Sequence, residues 1–108
     1  MKNANVSVDV DLTLLDHNGL LLDGAKPALQ ALHAAGCHLV LWSTGGAEYA
    51  RAVAVRYKLT ELFEGFVAKP DIVIDDTLSS TRAPFSYNVH EERSLESLAN
   101  KIIEKHVD

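Results

Sequence analysis

Acidic, hydroxyl and amino side chains follow the apolar runs of this 108-residue chain, at points where strands are expected to end. The first run ends in Asp9-Val10-Asp11-Leu12-Thr13, the second in Trp42-Ser43-Thr44 and a later one in Ile74-Asp75-Asp76, with Lys69 just before that last run. The carboxyl ends of parallel strands lie at one edge of a sheet, and ligands bind at this edge. We therefore expect the four carboxylates, the hydroxyl and the lysine to converge there.

Four carboxylates gathered at one edge would repel one another unless a cation lay among them. A hard divalent ion, most simply Mg²⁺, suits carboxylate oxygens and needs few ligands from the protein. The sequence therefore predicts Mg²⁺ among these acids, which are Asp9, Asp11, Asp75 and Asp76.

The elements that position these residues alternate between strand-length apolar runs and segments of helical period, which favours an α/β fold with a mostly parallel sheet. Strands are predicted at 5–10, 38–42, 65–67, 71–74 and 85–89, and helices at about 24–35, 47–57 and 94–106. The fourth strand is apolar on both faces, so we expect it to be central, and the fifth follows Pro84 and is expected at an edge. The predicted architecture has three layers, α/β/α, around about five strands.

Two further segments are predicted between these elements. Residues 14–22 form two apolar arms around Asn18-Gly19, which is a strong hairpin signal, so we expect a small projecting β-hairpin flap. Residues 79–82 are polar and predict a loop. With no internal repeat or linker, the chain is expected to form one domain over residues 1–108.

The order Asp-x-Asp-x-Thr, strand-terminal Ser, Lys, strand-terminal Asp-Asp resembles the haloacid dehalogenase superfamily, most of whose members are Mg²⁺-dependent phosphohydrolases with a Rossmann-like fold. The resemblance covers residues 6–76. It implies that Asp9 is the nucleophile, Asp11 the general acid and base, and Ser43 a phosphate-binding hydroxyl. It further implies that Lys69 neutralises the transferring phosphoryl group and that Asp75, supported by Asp76, holds the metal, while Thr13 supports the first motif.

The chemistry of these residue types agrees with those roles. A carboxylate that attacks phosphorus forms an aspartyl-phosphate, and an acid two residues away can protonate the leaving oxygen and later deprotonate water. The amides of Thr44, Gly45 and Gly46 open a helix, and a helix N-terminus favours the oxygens of a phosphate.

The sequence departs from the family pattern in two ways. Leu12 stands where many members have Gly, and a side chain restricts that turn. No cap domain fits between Asp9 and Ser43, so the resemblance implies an open site that acts on macromolecular substrates or is covered by a second copy of the chain. The substrate is therefore expected to be a phosphorylated small molecule or macromolecule, with nucleic acid only as a substrate.

Simpler structural readings and other functions stay open at this point. Ser43 or Thr44 could cap the following helix, and either hydroxyl could be the phosphate ligand. Lys69 could be an ordinary loop lysine, and Asp76 an exposed turn residue. The rival functions are a phosphate- and metal-binding module with weak or no catalysis, and a receiver-like phosphoacceptor domain, although a receiver carries its phosphorylated Asp on a middle strand.

Composition narrows the class of partner. A formal charge of −5 disfavours non-specific binding to nucleic acid or to anionic membranes. No run approaches the roughly 20 apolar residues of a membrane helix, and the N-terminus lacks the apolar segment of a signal peptide. With a single cysteine, Cys37, the chain is expected to be cytoplasmic and without membrane partners, either alone or as a homo-oligomer.

Overall fold

The computed structural model describes residues 1–76, 85–88, 90 and 94–107 of a mixed α/β chain. It divides into two compact units, Met1–Lys69 and Pro70–Asp108. The single domain expected over residues 1–108 stays a prediction, and the loop predicted at 79–82 lies outside the described residues. No helix in the described ranges has the length and apolar character needed to cross a bilayer.

A parallel three-stranded sheet is the framework of the first unit. Its strands are β1 (Asn5–Asp9), β2 (His38–Ser43) and β3 (Gly65–Ala68), and β2 lies in the middle. Burial alternates along β2, where Leu39, Leu41 and Ser43 are buried, as the two-residue period of a strand requires. The three predicted strands are confirmed, with bounds that differ by one residue at their ends.

Two helices and a short 3-10 turn complete the first unit. Helix α1 (Ala25–Ala34) ends before Gly36, which adopts a φ of 89° that side chains disfavour. Helix α2 (Ala47–Arg56) packs against β2 and β3 and buries small and branched residues, while the 3-10 turn follows at Thr60–Leu62. The buried side chains of α2 are Ala50, Val53 and Ala54.

The hairpin predicted at residues 14–22 is only partly a projecting flap. An antiparallel bridge joins Leu15 to Leu21, but Leu14 and Leu15 are buried in the hydrophobic core of the first unit. Burying a leucine side chain stabilises a fold by about 1.5–3 kcal/mol, so this arm packs inward. Leu20 and Leu22 stay exposed, and the projecting flap predicted for residues 14–22 is wrong for its first arm.

The second unit contains a pair of parallel strands and one helix. Strand β4 (Ile72–Asp75) pairs with β5 (Phe85–Asn88), and helix α3 (Leu95–His106) follows. In the described part of the chain β4 and β5 pair only with each other, so the predicted central position of β4 in one five-stranded sheet is not confirmed. A run of three apolar residues, Ile72–Ile74, is too short to specify a second neighbour.

Helix α3 confirms the amphipathic pattern predicted near the C-terminus. Ser94 caps it, since the Ser94 Oγ accepts a hydrogen bond from the Ser97 amide at 3.1 Å. Leu98 and Ile102 are buried as the helical period predicts, whereas Leu95 in the first turn is exposed.

Candidate active site

The site begins where the three strands of the first unit end. Asp9 is the last residue of β1 and lies in register with Trp42 of β2. Ser43 ends β2 and lies in register with Ala68, the last residue of β3, so Lys69 follows directly at the same edge. Parallel pairing therefore brings Asp9, Ser43 and Lys69 together, as the sequence predicts.

The Asp9 carboxylate is held on both of its oxygens. Lys69 Nζ lies 3.0 Å from Asp9 Oδ1, and the Thr13 hydroxyl donates to Asp9 Oδ2 at 3.1 Å. Lys69 is itself fixed, because its amide donates to the Ser43 carbonyl at 2.9 Å and its ammonium lies 5.5 Å from the centre of the Trp42 ring. The Lys69 and Asp9 side chains are 23% and 33% exposed, so a partly buried ion pair orients this acid.

A tight turn after β1 returns Thr13 to Asp9. The buried Val10 accepts backbone hydrogen bonds at its carbonyl, and Leu12 adopts a φ of 60° in the left-handed region. The donors to that carbonyl are the amides of Thr13, Leu14 and Leu15. A side chain at this φ is strained. Leu12 is the position at which the sequence departs from the Gly of many haloacid dehalogenase superfamily members.

Asp11 contacts Tyr49, a residue that the sequence pattern did not assign to the site. The Tyr49 hydroxyl donates a hydrogen bond of 2.7 Å to Asp11 Oδ1. This bond, with smaller effects of desolvation and of the Asp11 charge, raises the pKa of Tyr49 above its ordinary value of 10.0. Tyr49 is 38% exposed, and its hydroxyl reaches the loop after β1.

A signal for Tyr49 does exist in the sequence. It lies in the first turn of a helix that begins at the end of a strand, where a long side chain can reach the neighbouring strand end. The helical period indicates only where the apolar ring of Tyr49 lies. It carries no information on the hydroxyl, which usually finds a hydrogen-bond partner where the ring packs against protein.

The loop between β2 and α2 satisfies its own polar groups. Ser43 is 1% exposed, and its Oγ accepts a hydrogen bond of 2.9 Å from the Gly45 amide, while the Gly46 amide donates to the Ser43 carbonyl. A phosphate-binding role for the Gly45 amide therefore requires this bond to be exchanged for one to a phosphate oxygen. Thr44 is exposed, and the choice between the two hydroxyls stays a prediction.

Asp75 and Asp76 belong to the second unit. Asp75 ends β4 and Asp76 follows it, and the Asp76 amide donates to Asp75 Oδ1 at 2.7 Å. Their expected role toward a metal at the first motif stays a prediction from the sequence.

The residues of the first unit fit Mg²⁺ by the chemistry of their donors. Among the described residues no three His, Cys, Asp or Glu side chains are grouped closely enough to share a metal ion. Mg²⁺ usually takes one or two protein carboxylates and completes its shell with water and substrate phosphate. Asp9 and Asp11 can provide these one or two carboxylates.

Comparison of the chain with protein-family models, with curated protein sequences and with solved structures finds no match in any of the three.

Proposed function

We propose that this chain is a Mg²⁺-dependent phosphohydrolase that cleaves phosphate monoesters through an aspartyl-phosphate on Asp9. The observation that carries the proposal is the approach of Lys69 Nζ to within 3.0 Å of Asp9 Oδ1, at the sheet edge where β1 and β3 end on either side of β2. The resemblance to the haloacid dehalogenase superfamily assigns these two residues to the nucleophile and to the phosphate-neutralising cation. Their contact supports that assignment because both must face one phosphoryl group.

The first step transfers the phosphoryl group to the protein. Asp11 enters the reaction protonated. A carboxylate oxygen of Asp9 attacks phosphorus, the bond from phosphorus to the ester oxygen breaks, and the leaving oxygen takes the proton of Asp11 and departs as the alcohol. Lys69 balances the negative charge of the phosphoryl oxygens, and the hydroxyl of Ser43 or Thr44 donates to one of them. Thr13 fixes the rotamer of Asp9 through its hydrogen bond.

The second step regenerates the carboxylate. A water molecule attacks phosphorus, Asp11 accepts a proton from it, and the bond between phosphorus and the Asp9 oxygen breaks. Inorganic phosphate leaves, and both acids return to their starting protonation states.

The metal would be held by Asp9 and Asp11, with Asp75 and Asp76 as the further ligands that the resemblance implies. When bound, Mg²⁺ reduces the repulsion between the attacking carboxylate and the phosphate oxygens. The alternation of strands and helices supports the finer architecture that we propose, a three-layer fold with five strands, and the single cysteine supports a cytoplasmic location. The resemblance implies a phosphorylated small molecule or macromolecule as the substrate.

Steady-state hydrolysis tests the proposal on a panel of sugar phosphates, nucleotides, phosphopeptides and end-phosphorylated DNA, with and without Mg²⁺. We expect Mg²⁺-dependent release of phosphate by the wild type and loss of turnover in Asp9→Asn, which keeps the shape of the side chain but removes the nucleophile. Asp23→Asn is the matched control, because Asp23 is an exposed loop acid outside the site and its loss changes the net charge equally.

A second readout is the phosphorylated protein itself, trapped by acid quenching during turnover. Hydroxylamine should release phosphate from the trapped wild type if the phosphate is bound as an acyl-phosphate. Full activity of Asp9→Asn refutes the mechanism. A wild type that hydrolyses nothing in the panel favours the alternative of a phosphate- and metal-binding module.

A further inference from the structure

The side chain of Asp11 lies on an exposed turn. The residue follows the buried Val10 and precedes the strained Leu12, and its own side chain is exposed. An exposed aspartate samples the three staggered χ1 rotamers, only one of which is suited to a given proton transfer. The turn alone therefore does not hold the Asp11 carboxylate in a single orientation.

The Tyr49 hydroxyl supplies this constraint from α2. Its 2.7 Å bond to Asp11 Oδ1 joins residues on two separate elements, the loop after β1 and the first turn of α2. An O–H···O bond of this length prefers a donor angle above about 150°, so it restricts the orientation of the carboxyl group. The bond uses one of the two acceptor sites of Oδ1, which leaves the other site for the proposed metal and the second oxygen of Asp11 for exchange of a proton.

The Tyr49 ring is held by close packing on Gly45. A Cβ atom added at Gly45 would lie 2.9 Å from Cδ2 of Tyr49, which is closer than real Cβ contacts allow. The absence of a side chain at Gly45 thus lets the ring lie against the loop that precedes α2. This packing of the Tyr49 ring on the loop holds the phenol hydroxyl at a fixed distance from Asp11.

We propose that Tyr49 is a positioning residue that holds Asp11 in the rotamer used for proton transfer to the leaving alcohol and from the attacking water. This inference rests on the proposed phosphohydrolase function and deepens it, since it assigns to α2 a part in acid catalysis. Tyr49 acts through Asp11 and does not itself exchange a proton with the substrate.

Hydrolysis of two esters with different leaving groups distinguishes a positioning role of Tyr49 from a general effect of its substitution on folding. The phenolate of 4-nitrophenyl phosphate leaves without help from an acid, whereas the alkoxide of 4-nitrobenzyl phosphate needs a proton. Single-turnover release of the two products, with the enzyme in excess over the ester and Mg²⁺ present, isolates the first step of the reaction.

In Tyr49→Phe we expect release of 4-nitrobenzyl alcohol to slow about threefold, because the productive rotamer becomes one of three. Release of 4-nitrophenolate should change less than about twofold, and the KM of both esters should stay the same, since general acid assistance acts on the leaving oxygen alone. In the Asp11→Asn background the same substitution should have no further effect on either ester.

Tyr57→Phe is the matched control. The Tyr57 hydroxyl donates to the Gly19 carbonyl at 2.8 Å, so this variant also loses one phenolic hydrogen bond at α2. It should leave the ratio of the two release rates as in the wild type. A ratio that changes equally in both variants overturns the role of Tyr49.

The remaining outcomes distinguish the inference from the function on which it rests. If the wild type hydrolyses both esters, Asp9→Asn does not, and Tyr49→Phe matches the wild type, the role of Tyr49 is refuted and the phosphohydrolase stands. If the wild type hydrolyses neither ester nor any member of the wider panel, the proposed function is refuted, and the role of Tyr49 is refuted with it.

Discussion

Replacing Leu12 by glycine should stabilise the first unit even though it removes a large apolar side chain. Leu12 has a φ of 60° and is 75% exposed, so its side chain contributes little burial while its backbone is strained. A residue with a Cβ pays about 1–2 kcal/mol in the left-handed region. Glycine avoids this cost but loses about 0.4–1 kcal/mol through the greater freedom of the unfolded chain. The expected net gain is roughly 0.5–1 kcal/mol.

Urea unfolding followed by the fluorescence of Trp42 measures this difference. Trp42 is the one tryptophan of the chain and lies in β2 beside Asp9, so its signal follows the unit that contains the substitution. With a urea dependence of about 1–3 kcal/mol per molar, the midpoint should rise by a few tenths of a molar with an unchanged slope.

Leu20→Gly is the matched control for this prediction. Leu20 is 53% exposed and is not among the residues with positive φ, so glycine relieves no strain there. We expect this variant to lose about 0.5–1 kcal/mol. Leu12→Gly and Leu20→Gly should therefore move the midpoint in opposite directions, and equal destabilisation by both would refute the assignment of strain to Leu12.

Three further predictions concern the metal, α3 and assembly. Asp75→Asn should raise the Mg²⁺ concentration required for half-maximal hydrolysis and reduce the rise in Tm that Mg²⁺ gives the wild type; equal Tm shifts would place the ion elsewhere. Ser94→Ala removes the cap on the Ser97 amide and should cost about 1 kcal/mol in circular-dichroism melts, whereas Ser94→Gly should cost only a few tenths. Leu20 and Leu22 offer far less apolar surface than the roughly 800 Å² per partner of a stable interface. We therefore expect no dimer held by these two residues, so Leu20→Asp with Leu22→Asp should leave sedimentation at tens of micromolar unchanged, and a dimer that this double variant dissociates would contradict this.

Periodicity and strand-end chemistry predicted much of the first unit. The alternation of apolar residues in β2 and the polar residues after each strand indicated parallel strands that end at a common edge. The contact of Lys69 with Asp9 follows from that register, although the two residues are far apart in sequence. Local patterns sufficed here because parallel pairing fixes which strand ends are neighbours.

Contacts that depend on a third element were not predictable in the same way. The bond between Tyr49 and Asp11 requires the angle at which α2 leaves β2, and a helical pattern carries no information on that angle. The burial of Leu14 and Leu15 depends on competition between a free hairpin and the core. The pairing of β4 with β5 was not predictable because the apolar run of β4 is short and does not specify which strand lies next to it.

The parallel register of β1, β2 and β3 has a kinetic consequence for the candidate site. Asn5 pairs with His38 and Val40 with Gly65, so each ladder joins segments roughly thirty residues apart, and such loops must close before any contact rewards them. During synthesis or refolding, Asp9 gains Ser43 as a neighbour only when β1 pairs with β2, and it gains Lys69 only when β3 has docked on β2. The proposed phosphate-releasing activity should therefore appear in the same kinetic phase as the native fluorescence of Trp42, and a chain arrested before residue 65 should lack a working site.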